Sequence, residues 1–282
     1  MALSSTFVAA DGDGYDLQMA RWSRRLAPLF IQFAGIAGGE RVLDVGCGTG
    51  SLTFELAQHP RFSAIQGIDL TPVYIEHARK RARDRRLDFR VGDACALPFA
   101  NASFDHSLSM LVLQFIPKPD GAILEMCRVT RPGGTVAAAT WDSRGGLVAH
   151  RMIFDTAAML DPNGHERRAK AYTRPMSRPG ELAQAWHEAG LKDVKQDTLT
   201  IRMDFKSFAD FWAPVEGKEG PVAEYVSTLS ADAGARLREM VRLAYVDGER
   251  DGPRSYAATA WVVKGRVPLT ETLTFPEQQP SF

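Results

Sequence analysis

The chain has 282 residues with 34 basic and 34 acidic side chains, and 45% of its residues are hydrophobic. This balance, with only three cysteines, argues against a nucleic-acid partner, a disordered chain and a disulfide framework. Since no run reaches the roughly 18 apolar residues of a membrane span and the N-terminus does not resemble a signal peptide, we expect a cytoplasmic protein without membrane insertion.

Strand-like and helix-like segments alternate along most of the chain. Short apolar runs indicate buried strands, and apolar residues at helical spacing indicate the helices between them. Repeated strand–helix units imply a parallel sheet with helices on both faces. In chain order, the expected elements are helix 15–36, strand 41–46, helix 51–58, strand 64–69, helix 72–83, strand 87–92, strand 104–110, a helix from Pro119, strand 135–140, helix 180–189, strand 198–203 and strand 257–264.

Three local details are expected along this path. Helix 15–36 contains Pro28, which should kink it or restart it. The Arg-Pro-Gly-Gly sequence at 131–134 indicates a turn before strand 135–140. Strand 198–203 alternates polar and apolar residues, which is typical of an antiparallel addition at a sheet edge.

Two long segments interrupt the alternation. Residues 143–178 follow the fifth strand, and residues 206–253 lie between the last two strands. Their apolar content argues for packed helices, with helix-like pieces at 206–213 and 230–245. Because long excursions of this kind are usually functional lids or disordered, we interpret the chain as a single domain, 1–282, with two cap-like insertions.

The strand end around Asp44 is the most informative part of the sequence. An apolar strand breaks there into three glycines at alternate positions, Gly46, Gly48 and Gly50, with Cys47 between the first two. Glycines allow a tight turn and let a ligand lie against bare main chain. A carboxylate that faces this turn suits a ligand with a positive charge.

The same turn separates two classes of nucleotide site. A dinucleotide-binding turn has the pattern Gly-x-Gly-x-x-Gly, which would place the third glycine at position 51. That position is Ser51. A carboxylate at the turn is also awkward for a pyrophosphate, so an NAD-dependent oxidoreductase is the less favoured alternative.

Acidic residues follow the next two strands at the same edge of the expected sheet. Asp69 ends the second strand, where a carboxylate can accept two hydrogen bonds from ribose hydroxyls. Asp93 follows the third strand, where it could accept a hydrogen bond from an adenine amino group while the Ala94 amide faces a ring nitrogen. Each acid could instead cap a helix or stabilise a turn. Together with the glycine turn they favour a nucleoside site.

These motifs resemble those of the class I S-adenosylmethionine-dependent methyltransferases, in particular the small-molecule branch with the ubiquinone/menaquinone-biosynthesis-type enzymes. The resemblance implies an α/β, Rossmann-like three-layer sandwich with a seven-stranded, mostly parallel sheet in the order 3-2-1-4-5-7-6. Strand 7 would be antiparallel, and helical insertions would cover the acceptor site. The motifs, within roughly residues 15–142, are VLDVGCGTG at 42–50, GIDL at 67–70, GDACALPF at 92–99, SFD at 103–105, VLQFI at 112–116 and RPGGT at 131–135.

The resemblance also implies S-adenosyl-L-methionine as the cofactor and roles for individual residues. Leu70 would pack on the adenine ring, and the main chain at Met110 and Leu111 would face the methionine amino group. Tyr15 lies where relatives often use an N-terminal aromatic residue to close over the cofactor. The implied cofactor-binding residues are Tyr15, Asp44, Gly46, Cys47, Gly48, Gly50, Asp69, Leu70, Asp93, Ala94, Met110 and Leu111.

The acceptor side is less specific, and no catalytic residue is assigned. Gln114 and Phe115 stand where relatives commonly carry one or two histidines. His150 and His165 lie in the first insertion, nearer a plausible acceptor site, but stray histidines are common on helix surfaces. Trp141 follows the fifth strand, where it could line the acceptor side or belong to the core.

An aromatic cluster in the second insertion has two interpretations. It could line the site or belong to the core, and helix-spaced aromatics are more often packing than a pocket wall. The cluster comprises Phe205, Phe208, Phe211 and Trp212.

For the overall function, we expect a methyltransferase that acts on an unidentified small molecule by in-line displacement. We expect no metal, and a homodimer is one candidate assembly. The alternative is a cofactor-binding, methyltransferase-like protein without transferase activity.

Overall fold

A seven-stranded sheet organises the fold. Its order is β3-β2-β1-β4-β5-β7-β6. The first five strands in this order pair in parallel, and β7 is antiparallel to both of its neighbours, which confirms the expected topology. The strands are β1 (Arg41–Val45), β2 (Ala64–Asp69), β3 (Leu87–Val91), β4 (Phe104–Met110), β5 (Thr130–Trp141), β6 (Lys192–Phe205) and β7 (Arg254–Arg266).

The structure, a computed structural model, describes residues 19–36, 41–216 and 220–269. Tyr15 lies outside these residues. Within the described ranges, every helix is too short or too polar to cross a bilayer. The helices are α1 (Arg21–Ala34), α2 (Ser51–Ala57), α3 (Pro72–Arg81), α4 (Pro119–Val129), α5 (Val148–Leu160), α6 (Pro162–Tyr172), α7 (Glu181–Glu188), α8 (Phe208–Glu216), α9 (Gly220–Val226) and α10 (Ala231–Val246).

Helices cover both faces of the sheet, so the central strands are apolar on both sides. In β1, Val42 belongs to a core formed with α1 and α2, whereas Leu43 belongs to a core formed with α4 and α7. This alternation follows from the two-residue period of a strand. It also places Asp44 on the same face as Val42, toward α2.

The expectation that Pro28 restarts the first helix is wrong. Helix α1 runs from Arg21 through Pro28 to Ala34. The proline lies on the exposed side, while Leu26 and Phe30 are fully buried. The apolar face therefore holds the helix together although Pro28 cannot donate a backbone hydrogen bond.

The expected turn at 131–134 is a bulge inside β5. The pairing of β4 with β5 shifts register between Phe104 and His106. Gly133 has a φ of 76°, and its N–H donates to the Val267 carbonyl at 2.8 Å. The glycines thus loop the chain out while pairing continues on both sides, so β5 begins at Thr130.

The two long segments fold as helices. Residues 143–178 include α5 and α6, and the described part of residues 206–253 includes α8, α9 and α10. The helix-like pieces expected near 206–213 and 230–245 are confirmed as α8 and α10, and α9 is an addition that the sequence pattern did not indicate. Because α10 packs against α5, the two segments meet beside the sheet.

Candidate active site

A cleft opens at the carboxyl ends of the parallel strands. It encloses about 1240 Å³, including its open mouth. The turn after β1 contributes Gly46 and Gly48, the end of β2 contributes Asp69, and the chain after β3 contributes Asp93. Open α/β sheets bind their ligands at this edge.

The glycine turn presents main chain to the cleft. All three glycines have left-handed backbone angles, with φ of 74° at Gly46, 53° at Gly48 and 93° at Gly50. A Cβ placed on Gly46 would overlap the side chain of Val112, which also lines the cleft. Only glycine therefore satisfies both the backbone angle and the packing at position 46.

Asp69 connects the glycine turn to the end of β2. Its carboxylate accepts hydrogen bonds from the backbone N–H of Gly48 at 2.8 Å and of Thr71 at 2.9 Å. Burial raises the pKa of this carboxyl, although both hydrogen bonds lower it. The Thr71 side chain also hydrogen-bonds this carboxylate. Since a carboxylate has about four lone-pair positions, it can still accept from a hydroxyl group of a ligand.

Asp44 lies behind the turn and does not line the cleft. It is 1% exposed, and its Oδ2 accepts a hydrogen bond from the Thr53 hydroxyl of α2 at 2.6 Å. Burial and, to a smaller extent, the negative charge of Asp69 raise the pKa of Asp44 to about 7, although hydrogen bonds from Thr53 lower it. Two acids that repel each other beneath the turn favour a cation in the cleft.

Asp93, Ala94 and Leu70 form the opposite wall of this end of the cleft. The Asp93 carboxylate accepts a hydrogen bond from the Cys95 N–H at 2.8 Å, so it stabilises its own turn and also lines the cleft. Leu70 is 43% exposed at the cleft rim. An exposed leucine at this position is suited to packing against a flat ring.

Leu111 has a backbone conformation that the sequence did not indicate. Its φ of 68° lies in the left-handed region, which costs a non-glycine residue about 1–2 kcal/mol. Its N–H donates to the Ala139 carbonyl at 2.7 Å, which ties this conformation to β5. Strained residues of this kind cluster at functional sites.

The cleft therefore gathers most, but not all, of the residues expected at the cofactor. The expected residues that line it are Gly46, Gly48, Asp69, Leu70, Asp93, Ala94 and Leu111. The expected residues that lie behind its wall are Asp44, Cys47, Gly50 and Met110. Cys47, for example, packs with Ile75 and Phe89 between β3 and α3.

The other end of the cleft is built largely by the first insertion. Gln114 and Trp141 lie at the border between the two ends, and the Gln114 Oε1 accepts a hydrogen bond from the Trp141 backbone N–H at 2.8 Å. The insertion carries no sequence motif, so its position after the fifth strand is the one sequence feature that indicates that it lines the cleft. Its residues in the cleft are Ser143, Leu147, His150, Phe154, Ala171, Tyr172 and Arg174.

Of the two histidines considered from the sequence, His150 lines the cleft and His165 does not. Burial and the positive charge of Arg174 lower the pKa of His150 to about 4, so its ring is neutral near pH 7. His165 is exposed and lies beside Arg168. His59 packs on Phe62 away from the cleft. His106 is buried in β4, where its Nδ1 accepts from a backbone N–H.

The aromatic cluster packs mainly against itself and Tyr245. Phe208 stacks on Trp212 with ring centroids 5.8 Å apart, and Phe211 lies 5.3 Å from Tyr245. None of the four expected aromatic residues lines the main cleft, although Phe205 and Phe211 line a smaller cavity on the other side of His150. This arrangement favours packing as their main role.

The strand order of the sheet, the glycine turn and the acids at the next two strand ends are the features expected of a class I methyltransferase. Residues 43–138 match the family of methyltransferase domains. The demethylmenaquinone methyltransferase of Roseiflexus castenholzii is 35% identical over 163 residues, which cover 55% of this chain and 68% of that protein. The chain belongs to the class I S-adenosylmethionine-dependent methyltransferases.

Other comparisons support the fold and leave the acceptor open. An uncharacterized protein of Mycobacterium tuberculosis is 35% identical over 122 residues, 43% of this chain and 44% of that protein. The chain thus spans less than half the length of such curated relatives. The fold also matches the structure of Haemonchus contortus phosphoethanolamine N-methyltransferase 2 with S-adenosyl-L-methionine. The match covers 93% of this chain and 60% of that chain, with a TM-score of 0.56 and 17% identity.

Proposed function

We propose that this chain transfers a methyl group from S-adenosyl-L-methionine to a small molecule held in the same cleft. The observation that carries the proposal is the continuity of the cleft from the glycine turn to the first insertion. The same cleft is lined by Gly46 and Asp69 at one end and by Leu147 and His150 at the other. This continuity supports a nucleoside and a second molecule bound side by side.

The residues at the glycine-turn end fit the cofactor. The bare main chain of Gly46 and Gly48 accommodates an amino-acid tail, and the Asp69 carboxylate can accept a hydrogen bond from a ribose hydroxyl. Asp93 and the Ala94 N–H would bind adenine, with Leu70 against the ring. When bound, the cofactor supplies an electrophilic methyl group attached to a sulfonium.

The chain's own part in the reaction is to align the acceptor and to exclude water. We propose that residues 143–178 and 206–253 act as a cap over the acceptor end, within a single domain of 282 residues. Leu147 and Phe154 supply apolar walls there. The ring of His150 is neutral at pH 7 and can hydrogen-bond the acceptor, but its low pKa makes it a weak base.

Asp69→Ala should weaken the binding of S-adenosylhomocysteine by about 1–3 kcal/mol, or roughly 5–150-fold, because hydrogen bonds to a charged acceptor are lost. Isothermal titration calorimetry measures this change. Asp88→Ala is a matched control, since Asp88 is an exposed acid on the neighbouring strand β3. Equal affinity in the wild type and Asp69→Ala, with Asp69→Ala folded, would remove the ribose assignment.

Transfer itself is tested with the tritiated methyl group of the cofactor and a fractionated metabolite extract. We expect label in at least one small-molecule fraction with the wild type and a large loss of label with Asp69→Ala. If the wild type binds S-adenosylhomocysteine but labels no fraction, the chain is a cofactor-binding protein and the proposed transfer is wrong.

A further inference from the structure

Arg174 places a positive charge at the acceptor end of the cleft. It follows α6 and lines the cleft with His150 and Tyr172. Its guanidinium lies 4.4 Å from the ring centroid of Phe115. Among residues 19–36, 41–216 and 220–269, no side chain or carbonyl accepts a hydrogen bond from this guanidinium or forms an ion pair with it. Arg174 is half-buried in the wall of the cleft, so its N–H groups are open to a ligand.

The surroundings of Arg174 carry a surplus of positive charge. Glu224 is near enough to raise the pKa of Arg174, but its carboxylate is already paired with Arg167 at 2.5 Å. Burial and the charge of Arg167 outweigh this effect and lower the pKa of Arg174 to about 10, so the group is still protonated at pH 7. The carboxylate of Glu224 thus neutralises Arg167, and the charge of Arg174 remains uncompensated.

The acids of the cleft cannot serve as the missing partner. Asp69 and Asp93 follow β2 and β3, whereas Arg174 belongs to the insertion that follows β5, on the other side of β1 in the sheet. Both acids are also engaged by backbone N–H groups of their own turns. The cleft is therefore polarised, with negative charge at the nucleoside end and positive charge at the acceptor end.

The shape of the surroundings suits an anion joined to an apolar body. The contact of Arg174 with the Phe115 ring is a cation–π contact, which uses none of the guanidinium N–H donors. These donors can bind an oxygen anion in a bidentate manner. Leu147 and Phe154 line the adjoining part of the cleft and are almost fully buried.

We infer that the methyl acceptor is an apolar small molecule carrying an anionic oxygen group, a carboxylate or a phosphate, and that Arg174 binds this group. The inference rests on the proposed function, because it assigns the acceptor end of the same cleft. The family motifs and the similar solved structures do not specify a charge on the acceptor. The negative charge is inferred from Arg174, from its contact with Phe115 and from the pairing of Glu224 with Arg167.

The test uses the full chain saturated with S-adenosylhomocysteine and three probes of one shape: 2-naphthoate, 2-naphthyl phosphate and the neutral 2-naphthamide. Calorimetry at low salt gives the three affinities. We expect at least one anion to bind about tenfold or more tightly than the amide, in line with hydrogen bonds to a charged group. The tighter of the two anions identifies the carboxylate or the phosphate as the preferred group.

Arg174→Met should abolish the preference for the anion and leave the affinity for S-adenosylhomocysteine unchanged. Arg178→Met is the matched control, since Arg178 lies on the same connection, is 51% exposed and pairs with Glu181. Arg174→Lys, which keeps the charge but not the planar fork, should retain part of the preference.

Three results would overturn the inference: anions that bind no more tightly than the amide, a preference that persists in Arg174→Met, or no binding of any anion. The binding of S-adenosylhomocysteine, measured first in each sample, separates this failure from a failure of the proposed function. The wild-type comparison of the three probes stands even if Arg174→Met does not fold.

Discussion

Between pH 4 and pH 8, ionisation of Asp44 should lower the free energy of unfolding of the ligand-free wild type by on the order of 4 kcal/mol. The variant Asp44→Asn should not show this loss. Asp44 is buried beneath the glycine turn, where its pKa rises from 3.8 to about 7. Each unit of pKa difference between the folded and unfolded states corresponds to about 1.4 kcal/mol. The difference at Asp44 therefore corresponds to on the order of 4 kcal/mol.

The sign follows from the number of protons bound in each state. Because the folded pKa of Asp44 lies above the unfolded one, the folded chain holds the extra proton between about pH 4 and pH 7. The free energy of unfolding of the wild type therefore falls as the pH rises through this window, and this contribution is constant above it. Asparagine keeps an oxygen for the Thr53 hydroxyl and cannot ionise.

Urea denaturation from pH 4 to pH 8 measures this difference. The absolute effect of the new amide group is the same at each pH, so only the slope of the difference between the two proteins is informative. Parallel stability curves for Asp44→Asn and the wild type would show that Asp44 keeps an ordinary pKa in the folded state.

Gly46→Ala should lower the free energy of unfolding by about 2–5 kcal/mol and greatly weaken the binding of S-adenosylhomocysteine. The left-handed backbone at Gly46 costs an alanine about 1–2 kcal/mol. The new Cβ would also overlap Val112, and overpacking of this kind costs about 1–3 kcal/mol. Any relaxation moves the main chain on which the cofactor would lie.

A double substitution separates these two costs. Combined with Val112→Ala, Gly46→Ala should be less harmful than the sum of the single changes by about 1–3 kcal/mol, because the overlap disappears. Gly234→Ala is the control, since Gly234 lies in α10 with open space around it and should gain up to about 1 kcal/mol. Additive single effects at positions 46 and 112 would contradict the close approach of the turn to Val112.

Much of the site could be predicted because its residues follow directly from strands. Gly46, Asp69 and Asp93 stand at the ends of three consecutive strands, and parallel strands bring such ends to one edge of the sheet. The direction of Asp44 was harder to predict. It depends on strand alternation, which turns this side chain toward Thr53 and away from the cleft.

The acceptor end could not be predicted in the same way. Arg174 meets Phe115 although 59 positions separate them in the chain, and this contact arises from how α5 and α6 fold back over the sheet. Residues 143–178 contain no short motif that would indicate such a contact. The φ of Leu111 is likewise fixed by its hydrogen bond to β5, so neighbouring residues in the sequence give no sign of it.

A crystal structure with S-adenosylhomocysteine tests the central claim most directly. We predict the ribose hydroxyls at the Asp69 carboxylate, the adenine between Leu70 and the Asp93–Ala94 turn, and the amino-acid tail over Gly46 and Gly48. Density for the ligand elsewhere, with the cleft between the glycine turn and Asp93 empty, would contradict the account.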